Sequence, residues 1–148
     1  MKKKLVIIFA LFLAACSNNA NQADSKPAVD ADAGQKVASA AQANVFASYP
    51  PAQTMDLIKQ RKDLLIIDVR SPDELREGKI ENSTLIPFWD IMKGNYTIPQ
   101  DRPLLLICAV GGRSYAAMQI LAQKGYKEIY NLQGGISAWK QANLPLVY

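Results

Sequence analysis

Residues 103–107 (PLLLI) carry no polar side chain and end at Cys108. An apolar run that does not alternate predicts a strand covered on both faces, the situation of strands in parallel sheets with helices above and below. Parallel strands need long crossover connections, and the flanking sequence supplies them. Upstream, Ala52, Met55 and Ile58 recur at helical spacing after Pro50 and Pro51, and LLII at 64–67 reads as a second buried strand before Asp68. Ser71, Pro72 and Glu74 read as the N-cap, N1 proline and capping-box glutamate of a short helix that stops at Gly78. A brief extended piece over 84–86 and a short helical stretch over 88–92 follow. After the apolar run, a helix is expected from Ser114, with Ala116, Ala117, Ile120 and Leu121 on one face and Gly125 just past its end. A strand over 128–132, a break at Gly134 and Gly135, and a last helix over 136–142 complete the series. Alternating strands and helices predict an α/β domain with a mostly parallel central sheet, helices on both faces, and its chemistry at strand carboxyl ends.

The N-terminal third obeys different rules. Lys2, Lys3 and Lys4 precede an eleven-residue apolar run, 5–15, that is followed by Cys16. A bilayer span needs about 20 apolar residues, so residues 1–15 read as a secretory signal peptide. The junction Leu13, Ala14, Ala15, Cys16 resembles the lipobox of bacterial lipoproteins. That resemblance implies cleavage before Cys16 and acylation of Cys16 by chains such as palmitate, each buried methylene contributing about 0.8 kcal/mol to membrane anchoring. Ser17 after the cysteine implies, by the same resemblance, a protein of the cell envelope that faces the periplasm, on the outer membrane in a Gram-negative host. Residues 16–47 are rich in Ala, Asn, Gln, Asp and Ser with few large apolar side chains, the composition of a flexible tether. Such a tether of about thirty residues spans on the order of 30 Å, leaving 48–148 as the globular domain. A loose Ala-rich helix over 36–46 is the alternative for the tether's end.

The formal charge of +4 comes from 17 basic and 13 acidic residues. Removing the signal peptide takes three lysines and leaves 14 against 13, so the mature chain offers no basic footprint for nucleic acid. With Cys16 acylated, Cys108 is the remaining thiol and has no intramolecular disulfide partner. Ala109, Val110, Gly111, Gly112, Arg113 and Ser114 lead from it into the expected helix. Inward-pointing amides of a tight loop and a helix N-terminus together stabilise an anion, and a thiolate or a cysteine persulfide is such an anion. A core cysteine would require neither two glycines nor an arginine beside it. Arg113 opposes the helix macrodipole, which points to an anion bound there. The chain contains no histidine, which excludes Cys–His and Ser–His pairs and histidine metal sites; no metal and no cofactor is called for.

The loop CAVGGRS (108–114) resembles the active-site loop of rhodanese-type sulfurtransferases, in which Gly is the third and Arg or Thr the fifth residue after the cysteine. Supporting blocks stand in the right order: Asp68, Val69 and Arg70; GKI at 78–80; IP at 86–87; LQGGISAW at 132–139; and LP at 144–145. The resemblance covers 48–148. It implies a rhodanese fold, with sulfane sulfur carried as a persulfide on Cys108 from a donor such as thiosulfate to an acceptor such as cyanide or a thiol. Small sulfur compounds or protein thiols are the implied partners, besides the membrane that holds the lipid anchor. Asp68 and Arg70 become supports near the site. Lys79 and Asn143 stand where family members commonly have His and Gly. Ala109 and Val110 are neutral where thiosulfate-specialised members often carry basic residues, so the loop does not select thiosulfate. Phosphatases of related fold place Arg sixth after Cys, a position held here by Ser114. The alternative function is a periplasmic rhodanese-fold module that binds a partner or carries a persulfide without turnover.

Overall fold

A computed structural model describes residues 44–148. Five strands, β1 (Val45–Tyr49), β2 (Leu65–Asp68), β3 (Thr84–Leu85), β4 (Leu104–Ile107) and β5 (Glu128–Leu132), alternate with four helices, α1 (Pro51–Gln60), α2 (Phe88–Lys93), α3 (Gly112–Gln123) and α4 (Gly135–Gln141). A 3₁₀ turn, Asp73–Glu77, lies between β2 and β3. The strands form one all-parallel sheet in the order β1-β5-β4-β2-β3.

The apolar strand β4 occupies the centre and is buried throughout. Its side chains divide between the two faces. Leu104, Leu106 and Cys108 pack with Ile91 of α2 and with Ala117, Met118 and Leu121 of α3. Leu105 and Ile107 pack with Ile136 and Trp139 of α4, with Met55, Leu57 and Ile58 of α1 at the margin. Burying a leucine fully is worth about 1.5–3 kcal/mol, so the strand that leads to Cys108 is firmly seated. The α/β architecture with helices on both faces is as the sequence predicts.

Three local expectations change. The tether was placed through residue 47, yet Val45, Phe46 and Ala47 belong to β1 and pair in parallel with Glu128, Ile129 and Tyr130; a helix reaching Phe46 is excluded there as well. VFASY is a weak strand by itself and acquires its partner only from β5, across more than eighty residues of chain. The expected signal peptide (1–15), the acylated Cys16 and the tether through residue 43 lie outside the described residues. The helix expected after Ser71 is a 3₁₀ turn. Glu74 does reach back to the Ser71 N–H at 2.9 Å, but the Ser71 hydroxyl donates to the same carboxylate at 3.0 Å and caps no backbone amide. Finally, α3 starts at Gly112, which places Arg113 and Ser114 in its first turn. Asn143, where the family commonly has Gly, adopts a left-handed φ of 54°, a conformation that Asn tolerates better than most residues.

Candidate active site

Cys108 follows the last residue of β4, and its side chain is fully buried (0% exposed). The loop 109–111 turns beneath it, so the Gly111 N–H donates to Sγ at 3.0 Å and the Ser114 hydroxyl lies 3.3 Å from Sγ. Burial alone would push this thiol up. A Ser114 hydroxyl turned toward Sγ, together with the N–H groups of Ser114, Val110 and Gly111, outweighs burial and brings it below the ordinary cysteine value. The inward amides expected from the sequence are therefore present. Val110 is 68% exposed, whereas Ser114 is fully buried and lies against the sulfur.

Of the two loop glycines only Gly111 is required by conformation. Its φ of +91° is left-handed, and a Cβ there would come within 2.9 Å of the Gly134 amide nitrogen, while Gly112 has open space around it. Gly135 answers from the β5–α4 connection, with φ +58° and no room for a Cβ against the carbonyl groups of Cys108 and Ala109. That closeness lets the amides of Ile136 and Ser137, in the first turn of α4, donate to the Cys108 and Ala109 carbonyls at 2.9 and 3.0 Å. The loop is thus gripped by backbone from a strand and helix that follow it by about twenty residues of sequence.

Arg113 does not stand alone at its helix terminus. Its guanidinium makes two hydrogen bonds to the Glu74 carboxylate, at 2.9 and 2.6 Å, so a side chain of the protein itself stands where the sequence pointed to a bound anion. The pairing holds the Glu74 carboxyl down to about 2, against burial, with help from Ser71. Arg113 is raised chiefly by Glu74, with Cys108 contributing. A carboxyl whose folded value is depressed contributes stability that is present above its unfolded value and lost as pH falls through the folded one. Glu74 therefore stabilises the fold above about pH 4.5 and ceases to do so as pH falls toward about 2. Glu74→Gln is expected to cost about 1 kcal/mol at neutral pH, the scale of a half-exposed ion pair, and to flatten the acid limb of stability between those values. Urea unfolding of both proteins across that range measures it; parallel acid limbs would refute the assignment.

Glu74 is in turn held through its carbonyl by Arg70, whose carboxylate partner is Asp68. The two residues expected as supports near the site form an interior pair: Asp68 is 0% and Arg70 1% exposed. Asp68 accepts hydrogen bonds from the Arg70 backbone N–H, Nε and Nη2 at 2.7–3.0 Å. Two further guanidinium protons reach the carbonyls of Glu74 at 3.0 Å and Gly78 at 2.8 Å, at the two ends of the 3₁₀ turn. A recess of about 150 Å³ opens beside Arg113, lined by Ser71, Pro72, Pro87, Phe88 and Trp89 among others. A somewhat larger apolar cavity of about 180 Å³, against Trp139 and Leu146, touches no residue of the loop, whereas the smaller recess borders it at Arg113.

The structure thus brings Cys108, Gly111, Arg113 and Ser114 together with Asp68 and Arg70 behind them. Two participants were missed. Glu74 read as a capping residue, and its second partner lies 39 residues away. Asn131 lies inside β5 with its amide against Ser114; a polar residue in a strand whose other interior positions are apolar was the available signal.

A family profile described as "Rhodanese-like domain" matches residues 51–142. A protein named sulfurtransferase from Allochromatium vinosum is 40% identical over 86 residues, covering 58% of this chain and 80% of that one. The thiosulfate sulfurtransferase GlpE of Pseudoalteromonas translucida is 30% identical over 91 residues, covering 62% and 86%. Among solved structures, a rhodanese-related protein from Thermoplasma volcanium superposes with a TM-score of 0.61 at 34% identity, over 68% of this chain and 97% of that one.

Proposed function

The chain belongs to the rhodanese-like domain family and is a sulfurtransferase of that type, and on that footing we propose that Cys108 carries the sulfur as a persulfide. The thiolate attacks the sulfane sulfur of a donor. With thiosulfate, a Cys108 S–S bond forms, the donor's S–S bond breaks, and sulfite leaves with the electron pair. An acceptor anion then attacks the outer sulfur, the persulfide S–S bond breaks, and the Cys108 thiolate returns; cyanide leaves as thiocyanate, and a thiolate leaves as its own persulfide. This is covalent, two-step catalysis. The observation that carries it is the hydrogen-bonding of a buried Sγ by the Gly111 amide at 3.0 Å, in a loop whose other amides also lower the thiol. Such a site stabilises an anion on sulfur without a histidine base.

Incubation with thiosulfate is expected to add the mass of one sulfur atom to the Cys108 peptide, and subsequent cyanide to remove it. Absence of an adduct with thiosulfate and with a polysulfide donor would overturn the proposal. The neutral side chains of Ala109 and Val110 support a donor range not restricted to the thiosulfate dianion. The lipobox-like junction supports a lipid anchor at Cys16 that places this activity in the cell envelope, and the mass of the mature N-terminal peptide tests that independently.

A further inference from the structure

Asn131 is the polar interruption of β5, 4% exposed. Its Oδ1 lies 2.6 Å from Ser114 Oγ, and its Nδ2 donates to Ser48 Oγ on β1 at 3.0 Å. Ser114 Oγ also lies 3.2 Å from the Gly111 carbonyl and 3.3 Å from Cys108 Sγ. A serine hydroxyl has one proton, and here three acceptors compete for it. The Asn131 carbonyl is the nearest of them, and the bond from Nδ2 to Ser48 keeps that carbonyl turned toward Ser114. When Asn131 takes the proton, the serine presents a lone pair to the sulfur.

We propose that Asn131 is a positioning residue that directs the Ser114 hydroxyl proton away from Cys108, leaving the reacting sulfur anion to the backbone amides. A thiolate bearing one hydrogen bond fewer is a stronger nucleophile, since nucleophilicity rises with basicity. The charged groups on the elements around Cys108 are Arg113 on α3, Glu74 paired with it from the 3₁₀ turn, the Asp68–Arg70 pair at the end of β2, Asp90 and Lys93 on α2, Glu128 on β5 and Lys140 on α4. None of these side chains hydrogen-bonds to Asn131 or Ser114, so they remain in place when Asn131 is changed.

The test is the pH profile of iodoacetamide alkylation in the full-length chain, read by mass spectrometry on the Cys108 peptide so that Cys16 does not contribute. Asn131→Leu keeps the side-chain shape and removes the acceptor. Its midpoint is expected to fall by about one pH unit, the scale of a hydrogen bond gained by an anion. Its limiting alkaline rate is expected to fall about threefold. Asn131→Asp still takes the proton and adds negative charge, so its midpoint is expected to move up. In a Ser114→Ala background the downward shift of Asn131→Leu is expected to vanish. A structural disturbance would move both Asn131 variants the same way and would persist without Ser114. An unmoved midpoint, shifts of one sign in both variants, or a shift surviving in Ser114→Ala each overturns the proposal. Should the leucine variant not fold, Asn131→Ala carries the same expectation.

The proposal rests on Cys108 as the reacting sulfur, but alkylation needs no sulfur donor. Loss of sulfur loading with the Asn131→Leu shift intact would remove the function and leave the proton-directing contact. Normal loading with no shift would remove the contact alone.

Discussion

Cys108→Ser is expected to lower sulfur transfer by at least about 10³-fold, to the background of the assay, while the protein remains folded. The serine hydroxyl would fit the site, since Sγ is held by the Gly111 amide and lies beside Ser114. An alkoxide is nevertheless inaccessible at neutral pH, and oxygen forms no persulfide. The loop is assembled by backbone contacts, from Ile136 and Ser137 to the carbonyls of Cys108 and Ala109, so it does not depend on the sulfur. Thiocyanate production measures turnover, and thermal unfolding checks the fold. Wild-type turnover in this variant would place the sulfur on some other group.

Arg70→Met has the largest expected effect on stability, about 3–5 kcal/mol, because it leaves Asp68 charged and unpaired in the interior. The Asp68 carboxylate takes all its side-chain hydrogen bonds from Arg70 and is completely buried. The same substitution frees the carbonyls of Glu74 and Gly78 from the guanidinium and loosens the 3₁₀ turn that brings Glu74 to Arg113. Activity should therefore fall alongside stability, even though Arg70 is no part of the sulfur chemistry. Urea unfolding reads the first effect. Adding Asp68→Asn to Arg70→Met removes the stranded charge and is expected to recover part of the loss. No recovery would mean that the pair's worth lies in the carbonyl contacts alone.

Much of this molecule is legible along the chain, since helical spacing and unbroken apolar runs are local properties. The order of strands and helices from residue 51 onward, the central place of β4, and Cys108 at its carboxyl end all follow from contiguous residues. The sulfur loop is readable for the same reason: the cysteine, the left-handed Gly111 and the amides that surround its sulfur lie within a few residues of one another.

Residues 45–47 were illegible because an edge strand's partner is remote in sequence, so local composition there resembles the tether before it. Glu74 was half legible because its capping bond to Ser71 is local, whereas its ion pair with Arg113 spans 39 residues. Asn131 and Ser114 stand 17 residues apart and meet because β5 lies beside β4 in the sheet. By itself, then, the sequence placed Cys108 at the carboxyl end of the central strand and marked the loop whose amides surround its sulfur. Only the tertiary structure decided the partner of Arg113, the interior place of the Asp68–Arg70 pair and the contest for the Ser114 proton. Those depend on the strand order β1-β5-β4-β2-β3, which sets side by side residues that no local pattern links.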